Sequence, residues 1–482
     1  MTAPVWNDGA RIARPSDSLP AADHVNAVVV GAGLTGLCTA LRLAEAGRKV
    51  VVAEARSVGA CASGASTGKV TVLQGNRLSL LAESFSIDVA QDYLRAHQHG
   101  VEEILRLCSA RQVPFERANA FTYAGTPEGV NKVRNEFEVC RELGLPVSSH
   151  DSLDTAFPVH AAVELPDQVQ LDPVALLDGL VAAVVAAGGR VVEGCRVTGL
   201  EESDDRVAVE TTAGRLSADH VILATASPIL DHVLTTTELV PHRSYLCAFD
   251  LAGSAPESSA PEDALPEGMF VSVDSPSRTL RKATVNAQRV LLVGGNGHRT
   301  GEAISTQELI GDLESWTVEH FPNARMTHAW SAQDHHPTGM VPLVTTFGSD
   351  EGRVHFAGGY SKWGITGAPA AARIISDRIL GRPETVSFGT PSKLGAMKNA
   401  VKSQAKTPAM MVGNLVREGL KPTGETTVGG ETVEVSLVCP HAGGICTWND
   451  AESSWDCPLH GSRFDADGSV LEGPATTDLK RL

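Results

Sequence analysis

The sequence predicts an α/β protein, α+β overall: two strand–turn–helix segments far apart in the chain, an antiparallel sheet encoded between them, and a separate C-terminal module. Three observations carry that expectation. Residues 27–54, AVVVGAGLTGLCTALRLAEAGRKVVVAE, read as strand, tight turn, helix and strand. Between residues 245 and 293, short β-like runs are separated by Pro, Gly and Ser, the pattern of an antiparallel sheet. Residues 354–381 then repeat the opening logic: apolar strand, glycine-rich turn, helix.

Length and charge bound what such a chain can do. Its 482 residues are enough for two or three domains with a substantial core. A net charge of −17 argues against nucleic acid or an anionic membrane as partner. Residues 1–23 lack the apolar core of a secretory signal and read as a polar lead-in laid over the surface. The longest apolar stretch, residues 174–187, is interrupted by Asp178 and is too short to span a bilayer. Nine scattered cysteines, an odd number, favour a reducing cytoplasm.

Each part of residues 27–54 has a physical job. Gly31, Gly33 and Gly36 have the G-x-G-x-x-G spacing of a dinucleotide site. Gly31 allows the tight turn, Gly33 lets the backbone approach a pyrophosphate, and Gly36 lets helix and strand pack closely. The helix N-terminus then points N–H groups at phosphate, and Glu54 at the end of the second strand can accept from a ribose diol. Next comes the small-residue run 59–75, which suits either a backbone pressed against a ligand or a flexible loop. Residues 78–110 and 130–143 read as amphipathic helices. Asp172 and Pro173 form a helix start, with Asp as N-cap and Pro at the first position, and Gly188-Gly189 ends that helix. Two strands follow around the turn at 212–214, a third covers 221–226, and residues 306–320 form one more helix.

The order of GAGLTG with Glu54, the ASGASTG run, the LDP-helix-strand unit, ILATA and FAGGYSKWGITG resembles the D-amino-acid-oxidase superfamily over residues 25–382. The likeness implies FAD rather than NAD, since plain NAD dehydrogenases have no need of the late glycine-rich return. It implies a Rossmann-like FAD-binding domain over 24–390, with a substrate-binding sheet drawn from roughly 78–165 and 235–340. Carried onto this chain, it places Gly31, Ala32, Gly33, Leu34, Thr35, Gly36, Glu54 and Ala55 at the ADP half. Val197 would lie by the adenine through its backbone, Ser66, Thr67, Lys69, Trp363, Gly364, Thr366 and Gly367 would border the flavin or its phosphates, and Ala224 and Gly359 would also touch the cofactor. In the substrate cavity the polar residues to look for are His242, Arg243, Tyr245, Asp334, His335 and His336, with Lys69 as a charge near the flavin ring and Trp363 as a wall over it. The two histidines at 335 and 336 read equally well as core-edge residues.

Residues 391–430 read as a linker made basic by Lys393, Lys398, Lys402 and Lys406, either a solvated helical face or a docking face for an acidic surface. The module at 431–482 carries Cys439-x-His441 and Cys457-x-x-His460. Two thiolates and two imidazoles suit a Rieske [2Fe-2S] cluster, which takes Cys on one iron and His on the other. Zinc also takes Cys and His in fours, but its usual finger spacing pairs Cys with Cys and His with His. An empty, vestigial fold is the third possibility. The text HGSRF…DG…GPA that follows strengthens the resemblance to Rieske domains, which are small and all-β. Members from cytochrome bc complexes add a disulfide at the positions held here by Gly444 and Leu459; Cys446 stands two residues beyond the first with no obvious partner. By the same likeness Ser462 would hydrogen-bond a cluster sulfide, Phe464 replaces a tyrosine of high-potential members, and the short stretch before Cys439 suggests missing strands.

Together the two centres imply a flavin-dependent oxidoreductase acting on a small molecule, first an amine or amino acid, with an external acceptor or donor protein for single electrons. Two other readings stand beside it: an oxidase that returns electrons to O₂ with the cluster as appendage, and a redox-responsive binding module that is no enzyme. With the flavin site in a domain of its own, changes at the cluster ligands are expected to leave flavin binding intact.

Overall fold

The computed structural model describes residues 1–8, 18–20, 24–230, 235–251, 267–302, 304–348, 352–404, 413–414 and 422–482. At its centre lies strand His24–Val30, hydrogen-bonded in parallel to Val50–Ala53 on one side and Gly214–Leu223 on the other. Arg190–Val192 extends the sheet beyond Val50–Ala53, and Val354–Gly358 extends it beyond Gly214–Leu223. Leu343–Thr346 closes that edge antiparallel. The central strands are covered on both faces, which is why they read as unbroken valine runs rather than alternating ones. Helices Leu34–Glu45 and Gly364–Ile379 pack together on one face, so the two glycine-rich segments come together across more than 300 residues of chain.

Among the described residues the second sheet has nine strands, running from Arg325–Pro337 through Leu239–Asp250, Gln288–Arg299, Arg278–Val285 and Met269–Ser272 to Phe115–Ala124, Ala161–Leu171 and Lys69–Val70, with Ser148–His150 beside Ala161–Leu171. Its one parallel join is Met269–Ser272 with Phe115–Ala124. Phe121 stacks on Phe270 at 4.7 Å across that join, in an aromatic core shared with Tyr123, Phe157 and helix Thr306–His320.

Several expectations change. The helix expected over 78–110 is two, Arg77–Ser84 and Ile87–Arg111, because the Ser86 hydroxyl caps the second by accepting from Val89 N. Residues 221–223 continue strand Gly214–Leu223 rather than forming a third. One turn of the lead-in is not laid over the surface: Val5 and Trp6 are buried, the Trp6 indole donates to Ser66 O at 2.9 Å, and the Arg281 guanidinium stacks on its ring. At the other end, hairpin Thr423–Val428 with Glu431–Ser436 turns at Gly429 and Gly430, so the boundary expected at 430/431 falls inside it. This hairpin supplies strands that the short stretch before Cys439 suggested were missing. A four-stranded sheet, Thr447–Asn449, Ser454–Asp456, Arg463–Asp465 and Val470–Glu472, completes the module. The linker holds a helix, Lys393–Gln404; Lys406 and the side chains of Lys393, Lys398 and Lys402 lie outside the described residues.

Candidate functional site

A cavity of about 370 Å³ opens at the C-terminal ends of the parallel strands, where ligands bind in open α/β sheets. Of the residues expected to hold a dinucleotide, Gly31, Gly33, Leu34, Thr35, Glu54, Ala55, Ser66, Thr67, Lys69, Val197, Ala224, Gly359, Trp363 and Gly364 line it. The turn is built as the motif requires. Gly31 has φ +102°, and a Cβ on Gly36 would stand 1.9 Å from Gly31 O. Gly33 is the N-cap of helix Leu34–Glu45 and supplies no side-chain cap, while Leu34 N donates to Ser63 Oγ at 3.1 Å. A helix N-terminus held open toward a cavity in this way fits a pyrophosphate. The Glu54 carboxylate accepts from Ala32 N and Arg56 N, each at 2.8 Å, and burial raises its pKa against those bonds. Two carboxylate oxygens retain lone pairs for a ribose diol.

Four expected residues lie behind the cavity wall instead. Ala32 turns its N–H to Glu54, and Gly36 packs on Gly31. Thr366 points into a buried network with His97, 2.7 Å away, Gln74 and Tyr93. Gly367 packs on the Tyr360 ring. Tyr360 itself, which sequence reasoning passed over, lines the cavity and meets Thr35 Oγ1 at 2.9 Å.

The opposite wall comes from the antiparallel sheet. Tyr245, Thr279, Asp334 and His335 line it together with Lys69 and Lys362. Lys69 donates to Thr279 Oγ1; burial, and then the Arg281 charge, lower its pKa well below that of a free lysine. Burial lowers Lys362 likewise. The Asp334 carboxylate receives the backbone N–H of His335 and Lys362, yet burial still pushes it up to about 6. His242 and Arg243 are absent from this wall. His242 stacks on His336 at 4.2 Å, and neither ring lines the cavity. Arg243, 1% exposed, turns the other way and pairs with Glu452 of the C-terminal module. Alternation puts Ser244 on the other face of the strand from Arg243, and a register shift between Arg243 and Tyr245 lets Tyr245 join Ser244 on the cavity wall.

In that module the Cys439 and Cys457 thiols are buried together, and the rings of His441 and His460 meet nearly at right angles with Nδ1 atoms 3.3 Å apart. Tight turns set both loops: Gly443 N donates to Cys439 O at 2.9 Å, and Gly461 N to Cys457 O at 3.1 Å. Cys446, expected to lack a partner, contacts both ligand thiols, and its S–H, with that of Cys457, lowers the Cys439 pKa. Among the described residues no three or more His, Cys, Asp or Glu gather around a single ion position. A two-iron cluster divides its protein ligands two and two, and a pair of thiols beside a pair of adjacent imidazoles fits that donor set. The Ser462 hydroxyl accepts from Ala475 N at 3.0 Å, and Phe464 is fully buried.

The module sits directly on the flavin-type domain, a contact the sequence did not announce. Gln333 Nε2 donates to Gly461 O at 2.8 Å, and His335 Nε2 lies 3.4 Å from His460 O. Asp450 accepts from Thr306 N and Gln307 N, at the start of helix Thr306–His320. A Cβ on Gly301 would stand 2.6 Å from Pro458 N. Arg243 and Arg463 share Glu452 in a buried charge network that includes Asp456 and Glu472. Leu471, Glu472, Gly473, Ala475 and Thr476 line the same cavity as Gly31 and Glu54. The two sites are therefore not structurally separate, against expectation.

Comparison with known proteins agrees with this geometry. Residues 26–378 match the family model described as DAO, FAD dependent oxidoreductase, and residues 415–482 match the Rieske [2Fe-2S] domain. A putative Rieske 2Fe-2S iron-sulfur protein of Bacillus subtilis (strain 168), YhfW, is 28% identical, over 94% of this chain and 92% of its own. Gamma-glutamylputrescine oxidoreductase of Escherichia coli (strain K12) is 25% identical, over 77% of this chain and 87% of its own. Glycine oxidase from Geobacillus kaustophilus shares the fold with a TM-score of 0.61 at 15% identity, covering 77% of this chain and 99% of that one. No helix among the described residues is long and apolar enough to cross a membrane. The chain thus belongs to the DAO family of FAD-dependent oxidoreductases and carries a Rieske [2Fe-2S] domain at its C-terminal end.

Proposed function

We propose that this oxidoreductase acts on a small amine or amino acid and passes the electrons singly, through its Rieske domain, to an external acceptor. Bound FAD supplies acceptance of a hydride, and the cluster supplies one-electron transfer. Relatives of the flavin domain include an oxidoreductase of gamma-glutamylputrescine and a glycine oxidase, which supports the substrate class. An ammonium must lose a proton before the adjacent C–H can leave with its electron pair. Asp334, held near pKa 6 on the cavity wall, is suited to accept that proton at neutral pH. Lys69, with its charge disfavoured by burial, offers a polar hydrogen without a fixed cation, and Trp363 walls the cavity.

The observation that carries the electron route is the thinness of the wall. Gln333 and His335 line the cavity on one side and hydrogen-bond the 457–461 loop on the other, at Gly461 O and His460 O. The test is anaerobic titration of the purified protein with candidate amines and amino acids, followed by absorption and EPR. Flavin bleaching accompanied by the EPR signal of a reduced cluster is the expected result. Bleaching with the cluster left oxidised, and stoichiometric peroxide on admitting air, would overturn the route in favour of an oxidase.

A further inference from the structure

We infer that the C-terminal module supplies one wall of the flavin-binding site itself, with residues 471–476 closing over the adenosine half of FAD. These residues line one continuous cavity with Gly31 and Glu54, and they reach it at the end marked by Arg196 and Val197. The loop is anchored on both sides of the module boundary. Val470 O accepts from the Arg196 guanidinium at 3.0 Å. Ala475 N donates to the buried Ser462 hydroxyl at 3.0 Å. A Cβ on Gly473 would stand 3.1 Å from Ile229 Cγ2, so the backbone there runs hard against the flavin domain.

Charge fits the same role. Glu472 is the one acidic residue in the loop, and a free carboxylate beside a pyrophosphate would repel it. Its carboxylate is instead engaged by Arg463 at 2.7 Å, with Arg243 at 3.9 Å. The loop thereby offers the dinucleotide a wall of Leu471, Gly473, Ala475 and Thr476 with its negative charge neutralised. FAD held between the two domains binds only their docked arrangement, and by linkage it stabilises that arrangement.

Two measurements on the full-length holoprotein test this. Thr476→Glu places an unpaired carboxylate on the wall, while Thr477→Glu puts the same charge on the exposed neighbour outside it. Release of FAD after rapid dilution, read by flavin fluorescence, should quicken at least about tenfold in T476E and stay at the wild-type rate in T477E, with iron and sulfide per chain equal in all three. Wild-type release from a T476E protein that retains its cluster overturns the assignment. The second measurement needs no variant: hydrogen exchange of the 470–477 segment in unmodified protein, FAD-replete against FAD-depleted. Slower exchange with FAD is expected, and equal exchange overturns the proposal even if T476E fails to fold.

Discussion

Replacing Arg243 with methionine removes the central cation of the clamp between the domains and leaves an apolar side chain about as long as the arginine's aliphatic stem. Arg243 is buried and bidentate on Glu452, with its second bond at 2.9 Å. Burial pushes the Glu452 carboxyl up, but Arg243 and then Arg463 outweigh it and hold it at about 2, from an ordinary 4.5. Breaking a buried pair from one side usually costs about 3–5 kcal/mol. Arg463 remains 3.1 Å from Glu452 and retains part of the compensation, so R243M should lose about 2–3 kcal/mol. The sign of the pH effect follows. A depressed carboxylate contributes stability that is present above pH 4.5 and is lost as pH falls toward 2, so wild-type protein has an acid limb that R243M should flatten. Urea unfolding of the holoprotein, followed by flavin fluorescence and cluster absorbance, measures both effects. Adding Glu452→Gln to R243M should restore part of the loss by removing the stranded charge. An R243M protein within about 0.5 kcal/mol of wild type, with an unchanged acid limb, would refute the reasoning.

Four further outcomes are expected. Burial raises the Glu136 carboxyl to about 7, so its contribution is full below pH 4.5 and about 3 kcal/mol is lost as pH rises through 7; Glu136→Gln should flatten that limb in pH-dependent urea unfolding. A Cβ on Gly33 would already stand 3.0 Å from Ser63 Oγ, so Gly33→Val should purify with less than about a tenth of the wild-type flavin, counted by absorbance per chain. Asp334→Asn should slow anaerobic flavin bleaching by about 10²-fold or more and remove an acid limb near pH 6 from its rate profile, measured by stopped flow. Cys457→Ser should drop iron and acid-labile sulfide to background, and His460→Cys should retain a cluster of lower potential, followed by EPR-monitored redox titration.

The parts legible in the sequence are those whose physics is local. A glycine triplet between buried strands, the Asp172 cap with its bonds to Val174 N and Ala175 N, and the Cys/His spacing each encode their own geometry within a few residues. What stayed hidden depends on partners far away in sequence. Arg243 was expected in the cavity with His242 and Tyr245, and nothing nearby announces a carboxylate 209 residues downstream. Thr366 looked like a phosphate ligand by its place in a glycine-rich turn. It faces inward because helix Ile87–Arg111 crosses so closely that a Cβ on Gly100 would stand 1.8 Å from Thr366 O. Trp6 carried the one available hint: a tryptophan in an otherwise polar lead-in is more often buried than exposed. The shared cavity wall at 471–476 left no local mark, since Leu, Gly, Ala and Thr are ordinary loop residues.

The bond from Asp450 to the first turn of helix Thr306–His320 has a consequence for how the chain is made. Ser305 Oγ caps the helix from within by accepting from Glu308 N, but Thr306 N and Gln307 N find their acceptor 144 and 143 residues later. At about 5–20 residues per second, that acceptor leaves the ribosome roughly 7–30 s after the helix does. During this interval the corner of the nascent flavin domain stays hydrated and Arg243 has no Glu452 to meet. The domain that begins the chain is finished only by the domain that ends it, so the iron-sulfur segment closes the structure on arrival.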